Sequence, residues 1–361
     1  MDRFYRNVVN SMGKQKRILV FNFVLDDNYP VLAHQTDVVR ILARHFSEVV
    51  VISGRIGDAK LPPNVTAFST DWQSGRFFHN ILFFFRTLFR VRVWRNFEIV
   101  FFHMVVYQLI LSLPFLSFSK AKKILWYAHK QNSFALRLAS SQIDTLISST
   151  HGSFPFKSPK LIIVGQMVDS QQFRMFDSRD YSKRSSFVHI GRLDSSKQID
   201  KIIDSLASYK PLFPRMEFVS YGEPSNTRER NWSQSVLDKY AANPEFDWVR
   251  FLPSIPKREV PALLSTADVF IHSFQGSLDK SLIEATLSGI PVVTTNQEYV
   301  SFFGSWTGVS DPNLSDEIRA LLSLDSDAIE ARSIRNREIA STNHSLQSWE
   351  NRVLPIFVEN E

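Results

Sequence analysis

Short apolar runs alternate with segments of helical periodicity along most of the chain. Residues 16–25 form an apolar run, residues 34–46 place their apolar side chains at helical spacing, and residues 47–53 form a second apolar run. Runs of this kind predict strands that are buried on both faces, as in a parallel sheet. A strand, a helix and a second strand in this order predict a doubly wound α/β domain.

The same alternation returns in the second half of the chain. Residues 184–206 predict a strand, a loop and a helix, and residues 247–274 predict a strand, a helix and a strand. A chain of 361 residues exceeds what one hydrophobic core usually supports. We therefore predict one domain over residues 1–165 and a second over residues 166–340, joined where a strand gives way to polar residues.

Several protein classes are excluded by what the sequence lacks. There is no cysteine, so neither a disulfide framework nor a cysteine metal site is expected, and a reducing, cytoplasmic location is predicted. The first residues lack the apolar core of a signal peptide. No glycine lies between Ile18 and Ile52, so the fingerprint of a dinucleotide-binding dehydrogenase is absent. No cluster of His, Asp and Glu has metal-ligand spacing, so no metal is expected.

Two apolar segments raise the question of a membrane. Residues 99–118 carry no formal charge and are long enough to span a bilayer, but a buried strand followed by a short apolar helix is the better interpretation. Residues 75–95 interleave Phe, Leu and Trp with five arginines and no acid. They predict either a core-facing helix with a solvated basic edge or an interfacial helix on an anionic membrane surface. RNA binding is a weaker alternative, because no recognised RNA motif accompanies the segment.

The charge of the chain is unevenly placed. Residues 1–150 hold 19 Lys and Arg against 9 Asp and Glu, whereas residues 151–361 hold 23 against 27. A basic half joined to a slightly acidic half predicts that only the first half faces an anionic partner.

Residues 276–295 have the pattern of a ligand-binding loop and helix. Residues 281–288 predict a short helix that carries Glu284 and stops at Gly289, and a β-branched strand follows. In such a unit, ligands bind at the carboxyl end of the preceding strand, where helix amide groups favour an anion. The sequence therefore predicts an anion site at the loop that begins at Gly276.

Five motifs in the second half occur in a fixed order: HIGRLDSSKQIDKIIDSL, SYGEPS, RFLPSIP, ADVFIHS and LIEATLSGIPVVTT. Together they resemble the C-terminal domain of glycosyltransferase family 4. Three further stretches are similar to a bacterial branch of that family with a GSLDK motif: HMVVYQLIL, LWYAHK and VGQMVDSQQF. The resemblance extends over residues 17–357. It implies the GT-B fold of two facing Rossmann-like, doubly wound domains, in which residues 341–361 form a helix that crosses back to the first domain.

The resemblance also implies an activity. The protein would be a retaining glycosyltransferase whose substrate is a UDP- or GDP-linked sugar and which needs no other cofactor. Its acceptor would be a hydroxyl of a glycan or lipid-linked glycan in the synthesis of cell-surface polysaccharide or glycoconjugate. The first domain would bind that acceptor in the cytoplasm or at the inner face of the membrane, and no nucleic acid partner is expected.

Three alternatives to this activity stay open. One is a catalytically degenerate nucleotide-binding protein of the same fold, and another is an epimerase or phosphorylase that needs no separate glycan acceptor. The third is an RNA-binding module that would use Arg86, Arg90 and Arg92 in a strongly salt-dependent manner.

Three residues in the loop after a predicted strand are placed by the resemblance at the donor diphosphate: Gly191, Arg192 and Lys197. Donor cleavage leaves negative charge on the nucleoside diphosphate. Two fixed cations there would stabilise the transition state more than the ground state, which makes Arg192 and Lys197 candidate catalytic residues. The alternative for an isolated pair is two solvated surface cations.

Further donor-binding roles fall on the predicted helix and the loop before it. Glu284 corresponds to the family glutamate that holds the ribose hydroxyls, a task that suits a carboxylate because it accepts two hydrogen bonds. The amides of five consecutive residues would face the diphosphate and the donor sugar: Gly276, Ser277, Leu278, Asp279 and Lys280. The sequence departs from the family at Gly276, where a first glutamate is common. Asp279 and Lys280 would then contact donor hydroxyls or phosphate.

Three histidines of the first half are also candidates. His129 lies at the end of the strand predicted in LWYAHK and corresponds to a family histidine that binds the donor sugar or orients the reacting pair. It is predicted to be catalytic, although an isolated strand-end histidine is more often structural. His34 and His103 are weaker candidates for the acceptor side.

Overall fold

The computed structural model describes residues 16–29, 32–175 and 179–358. These residues divide into two compact units. The first unit comprises the described residues up to Val164 together with those from Glu350 onwards, and the second unit comprises Gly165–Trp349. Each unit is built around its own parallel sheet.

The sheet of the first unit has seven strands in the spatial order β3-β2-β1-β4-β5-β6-β7. The strands are β1 (Arg17–Leu25), β2 (Glu48–Ile56), β3 (Val65–Ser69), β4 (Ile99–His103), β5 (Lys122–Trp126), β6 (Thr145–Ser148) and β7 (Leu161–Ile163). The helices are α1 (His34–His45), α2 (Phe77–Val91), α3 (Val106–Leu116) and α4 (Phe134–Ser141). Consecutive residues 18–21 of β1 are fully buried, so both faces of the sheet are covered there.

The charge-free stretch of the first unit folds as the sequence predicted. Residues 99–118 contain the buried strand β4 and the helix α3. Within the described ranges, no helix combines the length and the apolar character needed to cross a bilayer.

The predicted position of His129 at a strand end is wrong. β5 stops at Trp126, and the amide of Ala128 donates to the sulfur of Met104 at 3.1 Å instead of to a strand carbonyl. His129 therefore lies in an exposed loop before α4.

The sheet of the second unit has five parallel strands in the order β10-β9-β8-β11-β12. The strands are β8 (Ser186–Ile190), β9 (Glu217–Tyr221), β10 (Val249–Leu252), β11 (Val269–His272) and β12 (Val292–Thr294). The helices are α5 (Ile199–Ala207), α6 (Thr227–Tyr240), α7 (Val260–Thr266), α8 (Lys280–Leu287), α9 (Gln297–Phe303), α10 (Leu314–Ser323) and α11 (Ser326–His344). The helix predicted over residues 281–288 is thus present as α8, one residue earlier.

The last helix, α12 (Leu346–Val358), begins in the second unit and ends in the first. In the first unit, the Glu350 carboxylate accepts from Arg44 at 2.9 Å and hydrogen-bonds His45 Nε2 at 2.6 Å. The Phe357 ring meets Phe46 and Phe101 edge-on. These contacts fix the C-terminal half of α12 on the first unit, whereas residues 341–349 stay with the second.

Candidate active site

The loops after β8 and β11 carry most of the sequence-predicted donor residues. β8 and β11 are neighbours, and the order of strands along the chain reverses between them. Such a switch point is where ligands bind in open α/β sheets, at the carboxyl ends of the strands. The fold therefore brings the loop of Gly191 and Lys197 next to the loop of Gly276 and Asp279.

An ion pair between a buried lysine and a half-buried aspartate joins these two loops. Lys197 Nζ donates to Asp279 Oδ2, and the same oxygen accepts from His272 Nε2 at 2.9 Å. Lys197 is 5% exposed and His272 is fully buried. From the sequence, Lys197 is expected to be a cation open to a pyrophosphate. In the structure its charge is already balanced by Asp279.

Burial and pairing set the charges of this cluster. Burial by itself would raise the pKa of Asp279, but the Lys197 ammonium and the His272 hydrogen bond outweigh it and hold that pKa below its usual range. Burial lowers the pKa of His272 despite its carboxylate partner. His272 is therefore neutral at pH 7, donating from Nε2 while Nδ1 accepts from the Thr294 hydroxyl at 3.3 Å.

A second buried histidine lies against the first loop. Burial lowers the pKa of His189 to about 3, and its Nδ1 donates to the Ile271 carbonyl at 3.1 Å. In the described part of the chain its Nε2 has no hydrogen-bond partner. A Cβ at Gly191 would lie 2.9 Å from that Nε2, so only glycine fits there without a shift. His189 and His272 were not predicted from the sequence; each is one of the last two residues of a strand that leads into a donor loop.

Arg192 is the more accessible of the two predicted cations. Its side chain is 45% exposed, and Nη1 lies 3.1 Å from Asp194 Oδ2. Asp194 is itself buried and accepts from the Ser225 amide at 2.9 Å, which ties the loop after β8 to the loop after β9. Arg192 is thus held by Asp194 through one nitrogen, and nearly half of its side chain is exposed.

The loop before α8 is held by Asn296. Its side-chain amide donates to the Phe274 carbonyl at 2.8 Å, and its Oδ1 caps α9 by accepting from the Tyr299 amide at 3.0 Å. A second contact comes from Gln166, whose side-chain amide donates to the Leu278 carbonyl. The backbone of this loop is therefore fixed from both sides.

The structure explains why glycine stands at position 276. A Cβ built on Gly276 would overlap the ring of Phe274. The same ring faces Lys197, whose Nζ lies 3.9 Å from the ring centroid. Phe274 thus fills the space in which a side chain at position 276 would begin, and a glutamate there would have to displace it.

Glu284 lies on α8 and is half-buried. Burial raises its pKa, while the positive charges of Lys257 and Lys280 oppose the rise. Gly289 follows the helix at φ +72° and ends it, as the sequence predicted.

The three candidate histidines of the first unit lie in two separate places. His34 begins α1 and His103 ends β4, and their rings are 5.5 Å apart. His103 is 1% exposed and stacks on Trp126 at 4.6 Å. His129 lies in its exposed loop, where Nδ1 accepts from the Gln131 amide at 3.0 Å. The structure therefore brings the half-buried His34 next to the buried His103, whereas His129 is exposed.

A cavity of about 380 Å³ also lies in the first unit. Its lining includes Phe23, Gln35, Trp72, Tyr107 and Gln131. This mixture of aromatic rings and side-chain amides suits a small polar ligand with apolar faces.

The described residues contain no group of three or more His, Cys, Asp or Glu that could hold a metal ion. In this described part of the chain, three cations lie at the donor loops, Arg192, Lys197 and Lys280, and the charge of Lys197 is balanced by Asp279.

Solved structures share this architecture over nearly the whole chain. Sucrose-phosphate synthase from Thermosynechococcus elongatus aligns with a TM-score of 0.77 at 13% identity, covering 95% of this chain and 98% of its own. Anabaena HepE, solved with UDP and glucose, aligns with a TM-score of 0.74 at 14% identity, covering 95% and 99%. TarM from S. aureus, solved as a mutant with UDP, aligns with a TM-score of 0.69 at 11% identity, covering 96% and 100%. The predicted GT-B fold is thereby confirmed.

Part of the second unit also matches a known protein family. Residues 170–301 match the family described as Glycosyl transferases group 1. The match contains every donor-side residue from Gly191 to Glu284. None of the curated protein sequences compared matches the chain.

Proposed function

We propose that this protein is a retaining glycosyltransferase of family 4 that moves a sugar from a nucleotide-sugar to a hydroxyl of a glycan or lipid-linked glycan. One observation carries the proposal: Arg192, Lys197, Asp279 and Glu284 lie on the loops and helix at one switch point, inside the region that matches a glycosyltransferase family model. Solved structures of the same fold that contain UDP or UDP-glucose support a nucleotide-sugar donor. These UDP-containing structures favour a UDP-linked donor over a GDP-linked donor.

Each donor-side residue has a proposed task. Glu284 accepts hydrogen bonds from the ribose hydroxyls, which requires its ionised form and hence proximity to Lys257 and Lys280. Arg192 contacts the diphosphate first, because it is exposed. Lys197 stabilises the leaving group, while the second oxygen of Asp279 accepts from donor-sugar hydroxyls.

In the proposed reaction, the bond between the anomeric carbon and the phosphate oxygen breaks, and a bond to the acceptor oxygen forms on the same face. The acceptor proton passes to the departing phosphate oxygen, so no protein base is needed. Fixed cations at that phosphate lower the barrier because its charge grows in the transition state. His129 is proposed as a further catalytic residue, and His34 and His103 as acceptor-side residues of the first unit.

The cellular setting belongs to the same proposal. We propose that the donor is the one small molecule required besides the acceptor, that no metal or other cofactor takes part, and that the protein acts in the cytoplasm on cell-surface polysaccharide or glycoconjugate precursors. Transfer that is unchanged by a chelator such as EDTA is the expected result.

A second candidate is a nucleotide-binding protein that has lost catalysis. Gly276 favours it, because the family's first glutamate is absent and Phe274 occupies its place.

Release of free nucleotide from a panel of UDP- and GDP-sugars, with glycan acceptors, separates the two candidates. The active enzyme should release one nucleotide, and Arg192→Ala should lower kcat about a hundredfold or more. Arg192→Ala also removes the cationic partner of the buried Asp194, so its kcat is measured at a temperature at which unfolding curves show the variant to be folded. Arg228→Ala, at another exposed arginine, is the control and should keep the wild-type kcat. A protein that binds a nucleotide but never turns a donor over would be the degenerate form.

A further inference from the structure

The solvent-facing side of α2 is largely apolar. Four large side chains are exposed there: Phe77 (68%), Phe78 (85%), Leu82 (66%) and Phe89 (58%). Phe78, Leu82 and Phe89 are four and seven positions apart and so lie along one stripe of the helix. The opposite side packs into the core through Phe84 and Leu88. The apolar stripe is therefore exposed to solvent, while a different side of α2 supplies the core contacts.

The exposed stripe continues onto the end of α3. The Phe89 ring lies 5.3 Å from Phe115, and Phe118 follows α3 with 85% of its surface exposed. We call these exposed or half-exposed side chains the aromatic patch: Phe77, Phe78, Leu82, Phe89, Phe115 and Phe118. Contiguous apolar surface of this kind marks a docking site more often than a free surface.

Unpaired cations surround the aromatic patch. Residues 75–95 contain five arginines and no acid: Arg76, Arg86, Arg90, Arg92 and Arg95. Among the described residues, none of the five has a carboxylate partner, and Arg90 lies over the ring of Phe68 at 5.1 Å. Three other arginines of the same unit have carboxylate partners: Arg17 with Glu48, Arg40 with Asp27 and Arg44 with Glu350. Arg55 and Arg137 instead bind a backbone carbonyl and a side-chain amide. What sets this face apart is that its five arginines lie within one 21-residue segment that contains no acid.

We propose that this face docks on the surface of a bilayer that contains anionic phospholipid. The rings and Leu82 would enter the boundary between headgroups and acyl chains, and the arginines would contact lipid phosphates. A second copy of the chain fits poorly, because it would bring two sets of unpaired arginines together with no acid between them. The proposal goes beyond glycosyl transfer and does not depend on it, since the donor residues lie in the other unit.

Vesicle flotation of the full chain tests the docking surface. Vesicles of phosphatidylcholine with phosphatidylglycerol should carry the protein upwards, and binding should weaken as salt rises. Vesicles of phosphatidylcholine alone should carry much less.

Two variants separate the apolar and the electrostatic contributions. The triple substitution Phe78→Ser, Leu82→Ser and Phe89→Ser should lower partitioning at least about tenfold. The triple substitution Arg86→Ser, Arg92→Ser and Arg95→Ser should lower it about a hundredfold on anionic vesicles. A matched control in the second unit replaces exposed residues of the same kinds and should bind as wild type: Leu212→Ser, Arg215→Ser and Arg228→Ser.

Unchanged melting temperature and nucleotide response in each variant show that folding and the donor site are intact. Wild-type protein that stays unbound with anionic vesicles overturns the proposal. Binding of both triple variants that equals the binding of wild type also overturns it. A wild-type dimer that becomes monomeric in the aromatic variant, without vesicle binding, would assign the face to a second copy instead. Binding of single-stranded RNA through the same arginines, without vesicle binding, would assign it to nucleic acid.

Discussion

Asp279 Oδ2 contacts both Lys197 and His272, and this arrangement decides which charges a ligand meets at the donor loops. The Lys197 and Asp279 charges cancel, and His272 is neutral. Arg192, held by Asp194 but 45% exposed, is the more accessible of the two cations. Under the proposed function, Arg192 would meet the donor diphosphate first, and Lys197 would keep its contact with Asp279 Oδ2 while the second oxygen of Asp279 accepts from sugar hydroxyls.

Replacing Asp279 by Asn should lower the free energy of unfolding by about 3 kcal/mol, because Lys197 would remain buried without a counter-charge. The folded-state pKa of Asp279 is depressed, so its contribution is present above the unfolded value of about 4 and is lost as pH falls through the folded pKa. Urea unfolding of wild type and variant over about pH 3 to 7 should therefore show the difference shrinking towards acid pH.

The exposed pair of Glu217 with Arg250 supplies the control for that experiment. Glu217→Gln should change the unfolding free energy by less than about 1 kcal/mol. A difference between wild type and Asp279→Asn that stays constant with pH would contradict the assignment of charge to Asp279.

Gly276→Ala should destabilise the protein by about 1–3 kcal/mol, because the new Cβ overlaps the Phe274 ring. In a Phe274→Ala background the same substitution should cost less than about 1 kcal/mol, since the space is then open. A double-mutant cycle by urea unfolding measures the coupling. Purely additive effects would mean that the two residues do not compete for the same space.

At the scale of elements, the residues at the two ends of α8 determine where this helix starts and stops. It begins directly after Asp279 and ends before Gly289, which adopts φ +72° and leads into β12. This geometry aims the N-terminus of α8 at the donor loops and allows Glu284 to sit one turn further along the helix.

Alanine substitutions at two glycines of the second unit distinguish the cost of backbone strain from the cost of steric overlap. Gly308 has φ +77° with nothing near its missing Cβ, whereas a Cβ at Gly289 would lie 2.9 Å from Met175 Cγ. Gly308→Ala should cost about 1 kcal/mol through the left-handed backbone alone. Gly289→Ala should cost about 2 kcal/mol or more, because overpacking adds to the same strain. Equal losses in thermal or urea unfolding would show that the Met175 contact relaxes freely.

At the scale of the whole molecule, the sequence predicted both parallel sheets. Apolar runs alternating with helical spacing are enough for that, because each strand and its helix are defined locally. α8 was placed to within one residue because Gly289 is a local stop signal. His129 was misplaced because the end of β5 depends on Met104, a contact between different strands and loops.

The candidate site was predictable only in part, for the same reason. Lys197 and Asp279 are 82 positions apart, so no local pattern indicates that they form a pair. The spacing of residues 75–95 allowed both a core-facing and an interfacial helix. In the structure α2 packs into the core through Phe84 and Leu88 and exposes Phe78 and Leu82 on its other side, a distribution that depends on how α2 packs on the rest of the unit.

Thermal unfolding of the full chain with UDP, GDP, ADP and their sugars tests the central claim most directly, because a ligand that binds only the native state must stabilise it. Wild type should be stabilised by UDP or GDP, by about 2.7 kcal/mol at a ligand concentration a hundred times its Kd. Glu284→Ala should lose that response, and the exposed-residue control Glu338→Ala should keep it. A wild-type protein that no nucleotide stabilises, or a Glu284→Ala variant that responds as wild type does, would contradict a nucleotide-sugar site at these loops.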